Sequence, residues 1–282
     1  MAIGQKMLVS SIQIFRKAVS VFNRRLADSM SAELAEEIIP IITKTTELGI
    51  IKFFCPGQMP LGRARSLLSK EPETIEWINT FTDNDIFWDI GANVGLYSLY
   101  AGLNPSLTIL SFEPSPANYY LLSRNIEVNK MDDRISAYCL AFNDISGLNT
   151  FYMKNTELGG ALNSFAEPVD CQGNLFTASL RQAMIGFSID DFVGQFNPPF
   201  PNHIKIDVDG IENKIINGAK NTLADARLKS LLIELDSNRE QYTNSVVRVI
   251  EDAGLKFQAK KHCLRFDTEP YVSIYNYIFV RV

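Results

Sequence analysis

Asp89, Glu113, Asp207 and Asp209 each lie at the end of a short apolar run, and a glycine or proline follows within three residues. Carboxylates so placed can accept hydrogen bonds from a ligand's hydroxyl or ammonium groups, or take a proton from a nucleophile. The first of them belongs to Ile86-Phe-Trp-Asp-Ile-Gly-Ala-Asn-Val-Gly95, where Gly91 and Gly95 bracket a turn. Glycine reaches backbone conformations that other residues avoid, and it lets a ligand approach the chain closely. The pattern is not the G-x-G-x-x-G of dinucleotide sites, because Asn93 stands where a pyrophosphate needs the middle glycine. A ligand without phosphate suits the turn better. The amino-acid end of S-adenosylmethionine can meet the turn amides and Asp89. Glu113, at the end of the next run, can accept from both hydroxyls of its ribose. Asn143 or Asp144 can reach an adenine amino group, or they can simply form an Asx turn before Gly147.

Methyl transfer from a sulfonium is an in-line displacement that needs nucleophile and methyl held about 3–3.5 Å apart. A hydroxyl nucleophile also needs a base or a metal. Asp207 and Asp209 are the first candidates. Glu212 follows, where an acid also complements the start of a helix. Asp207 or Asp209 with Glu234 or Asp236 could instead hold magnesium, but such acids also occur without metal, and no metal ligand is assigned. Of the two histidines, His203 falls at the amino edge of its strand. His262 falls on the active side, as a base near neutral pH or as a surface residue beside Lys260 and Lys261.

The elements that must position these residues follow from hydrophobic periodicity. Strands are expected at Ile86–Ile90, Leu107–Phe112, Arg134–Ala141, His203–Val208, Lys229–Leu235 and Leu255–Lys260. Helices are expected at Val94–Gly102, Pro116–Lys130, Ile211–Leu223 and Ser245–Ala253. This alternation describes a doubly wound parallel sheet. Tyr271–Val282 follows its predecessor with no helix between, so it should return antiparallel. Leu148–Met153 reads as a short strand, and residues 155–187 fit no element. Residues 1 to about 50 read as helical, with Leu8, Ile12, Phe15, Val19 and Phe22 on one face and a second helix from Ser31 towards Leu48. The domain reading is a helical extension over 1–60 and an α/β domain over 61–282.

From Arg63 to Val282 the chain resembles the FkbM methyltransferases, a mainly O-methylating family of class I, Rossmann-like fold. The matching motifs are Lys70-Glu-Pro-Glu-Thr-Ile-Glu-Trp77, Asp89-Ile-Gly-Ala-Asn-Val-Gly95, Phe112-Glu-Pro114, Ser188-Ile-Asp-Asp191 and Lys205-Ile-Asp-Val-Asp-Gly-Ile-Glu212. The resemblance implies that Asp89, Gly91, Asn93, Gly95 and Glu113 line a cofactor pocket, with Glu71 folding over towards it. The chain departs from the family at Asp209, where Glu is common, which shortens that side chain by one methylene.

A net charge of −5 leaves no global basic field for a nucleic-acid backbone. The four cysteines form no Cys-x-x-Cys pair, which argues against structural zinc and for reduced thiols in a cytoplasmic protein. No segment reads as a signal peptide or a spanning helix. The expected partner is a small-molecule or glycan acceptor, with homo-oligomerisation through the N-terminal helices as a second expectation. A basic amphipathic helix there could also lie on a membrane surface. The competing functional readings are N-methylation of a small molecule and a nucleoside-binding module without turnover.

Overall fold

The structure, a computed structural model, describes residues 3–262 and 272–282; Cys263 and the beginning of the Tyr271–Val282 segment lie outside them. The chain forms two compact units, Met1–Ile41 and Ile42–Val282. The first is a helical hairpin of α1 (Ile3–Phe22) and α2 (Arg24–Glu37), joined at Asn23, whose side chain accepts from Leu26 N and caps α2. The helix expected to run on to Leu48 stops at Glu37. Pro40 disfavours helix before it, and β1 (Ile41–Thr45) and β2 (Ile50–Phe54) then form a two-stranded sheet. The β-branched runs Ile-Ile-Thr and Ile-Ile carry that preference. Thr46 Oγ1 closes the turn by accepting from Leu48 N and Gly49 N. Asn125 and Asn129 receive hydrogen bonds from the β2 amides of Phe54 and Lys52 (2.7 and 2.8 Å), so this part of the 1–60 span packs with the α/β body.

The body continues with α3 (Gln58–Lys70), α4 (Pro72–Ile78), β3 (Ile86–Ile90), α5 (Leu96–Ala101), β4 (Thr108–Phe112) and α6 (Pro116–Asn129). The expected third strand divides into β5 (Ile135–Tyr138) and β6 (Ala141–Phe142), which enter different sheets. After β7 (Gly147–Met153), the stretch thought irregular supplies β8 (Ser164–Phe165) and β9 (Leu180–Phe187). These complete a four-stranded sheet in the order β6-β9-β7-β8. The remainder is α7 (Ile189–Phe196), β10 (His203–Ile206), α8 (Glu212–Asn217), α9 (Lys220–Ala224), β11 (Ser230–Asp236), α10 (Glu240–Asp252), β12 (Leu255–Lys261) and β13 (Ile274–Arg281). The single helix expected over Ile211–Leu223 breaks at Gly218, where any Cβ would lie 2.3 Å from Asn143 O.

The main sheet has the order β12-β13-β11-β10-β3-β4-β5. β3 pairs in parallel with both β10 and β4, and β13 runs antiparallel to both β11 and β12, as expected of the last segment. Strand order reverses at β3, so a crevice opens beyond the carboxyl ends of β3 and β10, where doubly wound sheets bind ligands. Trp88, Phe112, Phe142 and Phe192 pack beneath it as a buried aromatic cluster.

The opposite edge of the sheet is closed by polar pairing. His203 Nε2 lies 2.9 Å from Asp85 Oδ2, and Nδ1 lies 2.7 Å from Ser230 Oγ, which also accepts from Trp77 Nε1. Because Trp77 occupies the acceptor side of the hydroxyl, Ser230 can donate to Nδ1, and the neutral Nε2–H tautomer satisfies every partner. The imidazole stacks on Phe81 at 3.8 Å. Burial pushes its pKa down to about 4, and Asp85 only partly restores it. The fold therefore prefers neutral His203. Its contribution is complete above the unfolded value of about 6.5 and is lost as pH falls towards 4, on the order of 3 kcal/mol. Urea unfolding at pH 7.5 and pH 4 should show the wild type losing about 2–3 kcal/mol more than His203→Gln. Equal losses in both proteins would contradict this account.

Candidate active site

A cavity of about 460 Å³ occupies the switch point. Gly91 at the end of β3 has φ +85°, and a Cβ there would lie 1.9 Å from Asp207 O. Only glycine lets the β3 turn pass so close to the end of β10. Asn93 turns in the left-handed region (φ 52°) and puts its side chain on the cavity wall. Glu113, just beyond β4, accepts from Asn93 N through one carboxylate oxygen and from Ser115 N through the other, both at 2.8 Å. Burial nevertheless raises its pKa to about 7, the backbone donors offsetting only part of that penalty.

A strap from the β7–β8 connection crosses this wall. Arg63 Nε donates to Gly159 O (2.6 Å), and Gly159 N donates to Asn118 Oδ1 (2.9 Å). The side-chain amides of Asn93 and Asn118 both donate to Gly160 O, at 2.8 and 3.0 Å. Leu162 N and Asn163 N donate to Asp209 Oδ2 at 2.5 and 3.2 Å. The shorter side chain at position 209 is thus long enough to hold the strap while still lining the cavity.

Outside the cavity lining, Lys205 is among the most deeply buried of the described side chains. It comes from β10, where it is in register with Asp89 of β3. Its ammonium donates to Asp207 Oδ2 (2.5 Å) and lies 5.0 Å from the centre of the Tyr97 ring. Lys70 pairs with Glu71, whose other oxygen accepts from Thr74 Oγ1 at 3.2 Å. Glu71, Asp207 and Glu234 each bring one oxygen within 4.8 Å of the others. Burial opposes ionisation of all three, and the lysines decide the outcome. Lys205 and Lys70 hold Asp207 down at about 2, and Lys70 and Lys205 also lower Glu71. Glu234 is driven well up by burial, Asp207 and Glu71. Two carboxylates then face two ammoniums. Asp209 differs from Asp207, since burial and then Asp207 push its pKa up to about 6.

Eight of the residues singled out in the sequence therefore meet at one cavity: Glu71, Gly91, Asn93, Glu113, Asp207, Asp209, Glu234 and His262. The His262 ring stacks on Tyr275 at 4.1 Å, with Nδ1 3.2 Å from Ile274 O. Three others stand away from the wall. Asp89 is buried behind it, accepting from Ser98 Oγ at 2.5 Å, with Oδ1 unpartnered. Gly95 begins α5, where a Cβ would meet Leu122 at 2.6 Å. Asn143 is buried beside β9, its backbone amide bonded to Phe187 O. Glu212 also stays outside, fixing the turn by accepting from Gly210 N and Tyr242 Oη. Lys205, Lys70, Arg63, Asn118, Glu73 and Asn276 received no role from the sequence. For Lys205 a signal was present, a lysine between two isoleucines of a central strand.

Comparison with known proteins agrees with this geometry. Residues 89–257 match the model of the methyltransferase FkbM domain. Methyltransferase 1 of Beauveria bassiana is 28% identical over 178 residues, covering 58% of this chain and 70% of its own. The hexuronic acid methyltransferase AglP of Haloferax volcanii is 21% identical over 237 residues, covering 84% of this chain and 90% of its own. Among solved structures, a precorrin-6y C5,15-methyltransferase from Geobacter metallireducens superposes with a TM-score of 0.43 at 14% identity. It covers 75% of this chain and 87% of its own, a likeness too loose to carry weight. The matched span includes the β3 turn, Glu113 and the Asp207–Asp209 corner, and the chain belongs to the FkbM methyltransferase family.

Proposed function

We propose that this chain transfers a methyl group from S-adenosylmethionine to a hydroxyl of a sugar, a glycan precursor or a secondary metabolite. The observation that carries the cofactor reading is the Glu113 carboxylate beside the Gly91–Asn93 turn at the switch point. A carboxylate has about four acceptor positions. The Asn93 and Ser115 amides and the Asn118 side chain take three, leaving one for a ribose hydroxyl. Asn93 Oδ1, buried and unpartnered, adds an acceptor at the same wall. Asp207 and Glu71, kept ionised by their lysines, suit the cationic amino-acid end. The cofactor supplies an electrophilic methyl on a sulfonium.

The acceptor's proton falls to Asp209. Asp207 at about 2 is too weak a base, whereas Asp209 at about 6 is poised near neutral pH. Two carboxylates two positions apart in one motif thus take different tasks because only one has a lysine partner. His262 stands on the same cavity as an alternative proton acceptor. A sugar acceptor is supported by the hexuronic acid methyltransferase among the relatives. The chemistry belongs to the domain read over 61–282, with Met59 just ahead of it also on the cavity wall.

The reading has a pH signature. A ribose hydroxyl donates to the ionised form of Glu113, whose pKa in the free protein is about 7. Cofactor affinity should therefore rise with pH, by about tenfold between pH 6 and pH 8. Binding at pH 6.5 should release protons, measurable by calorimetry in buffers of different ionisation enthalpy. A pH-independent affinity with no proton release would remove Glu113 from the cofactor site.

A further inference from the structure

The N-terminal hairpin carries a surface that methyl transfer does not use. In α1, Met7, Ile14 and Val21 recur every seven residues, and Leu8, Phe15 and Phe22 form the adjacent row. All six side chains are between 60% and 90% exposed. Two turns of helix take 7.2 residues, so the rows lie side by side as one apolar stripe. Lys6 and Lys17, eleven residues apart and three turns along, flank the Met7–Val21 row. The α2 helix covers the other flank of α1. Ile12 and Val19 face Met30 and Leu34 across an apolar groove that Phe15 also lines, and Arg16 reaches Asp28 at 3.1 Å and Ser31 at 2.8 Å. The stripe borders the face that makes the hairpin, and its six side chains stay exposed.

Charge separates the candidate occupants of that stripe. The α1 helix and the residues just after it carry Lys6, Arg16, Lys17, Arg24 and Arg25, of which Arg16 pairs with Asp28, while the acids of the hairpin, Asp28, Glu33, Glu36 and Glu37, all lie on α2. A second copy docking stripe to stripe would bring two sets of these cations together. An anionic bilayer instead meets cations with headgroups and the stripe with acyl chain. Arg24 and Arg25 directly follow the exposed Val21–Phe22 end of the stripe, so the cations stand next to the bulkiest apolar residue. Bases flanking a face of Leu, Phe and Val are the composition of helices that lie in the membrane interface. Among the described residues no helix is long and apolar enough to cross a membrane, so the attachment is peripheral.

We propose that α1 is a reversible anchor that lays its Met7–Phe22 stripe into the surface of an anionic lipid bilayer. The anchor brings the enzyme to the interface, and it stands or falls independently of which acceptor is methylated.

Co-sedimentation of the full-length protein tests it, with vesicles of pure phosphatidylcholine and of equal phosphatidylcholine and phosphatidylglycerol. Binding should be at least about tenfold stronger to the anionic vesicles and should weaken in 0.5 M salt, by about fivefold or more. Val21→Ser/Phe22→Ser and Arg24→Gln/Arg25→Gln should each reduce it by about tenfold or more, with thermal melts unchanged. No sedimentation with either vesicle would overturn the proposal, because the stripe is then covered by the protein itself or by a second copy. Equal binding to both vesicles would also overturn it. So would full binding by both folded variants. If a variant does not fold, the wild-type lipid and salt comparison decides alone.

Discussion

Lys205→Met should destabilise the protein by about 3–5 kcal/mol, the loss expected when one partner of a buried ion pair is removed. Methionine fills much of the same space, so packing changes little. What disappears is the buried ammonium on the part-exposed Asp207 and close to the buried Glu71 and Asp89. The sign of the pH effect is specific. In the wild type, Asp207 is depressed to about 2, so its contribution is present above about 4 and fades as pH falls. In the variant, Asp207 and Glu71 should take up protons far more readily. The gap between the two proteins should therefore be widest near pH 8 and close towards pH 4. Urea unfolding across that range measures it, and a variant within about 1 kcal/mol of the wild type at pH 8 would mean that Lys205 does not balance these acids.

Asp209→Asn should lower kcat by ~10²–10⁴, the range for loss of a general base, while changing cofactor affinity by less than about threefold. The substitution is conservative in shape, because the amide oxygen can still accept from Leu162 N and Asn163 N and keep the strap in place. The wild-type rate should fall on the acid side with an inflection near 6, matching the raised carboxyl, and the variant should lose that inflection. A variant that melts normally and turns over at the wild-type rate would assign Asp209 to the strap alone.

The central sheet was legible because its strands are buried on both faces and read as apolar runs, unbroken in Leu231–Ile233 and interrupted in Ile86–Ile90 by Asp89 alone. β9 was not. Its residues alternate between exposed and buried, with Arg181 and Gln182 near the start, and its pairing to β7 is a long-range event. The N-terminal hairpin was read correctly to Glu37 and wrongly beyond, because an apparent helical period ran across Pro40 into β-branched runs. At the site, Glu113, Asp207 and Asp209, each expected near a strand end, line the cavity, since strand ends fix where a side chain emerges. Asp89, expected there too, is buried and does not line it. Partners that meet only through the fold left no local trace. Asn276 donates to Glu73 across 203 residues of sequence. Lys70, on α3, meets the β10 acids only because α3 folds over the sheet.

The account rests most heavily on the cavity at β3 and β4 being a site for S-adenosylmethionine, and calorimetric titration tests this directly. S-adenosylhomocysteine should bind the wild type with one site per chain, and NAD should not bind at sub-millimolar concentration, because Asn93 occupies the pyrophosphate's place in the turn. Glu113→Ala should weaken S-adenosylhomocysteine by about 1.5–3 kcal/mol, roughly 10- to 150-fold, through loss of a charged hydrogen bond to the ribose. Binding of NAD in preference to S-adenosylhomocysteine, or an unchanged affinity in folded Glu113→Ala, would contradict the assignment.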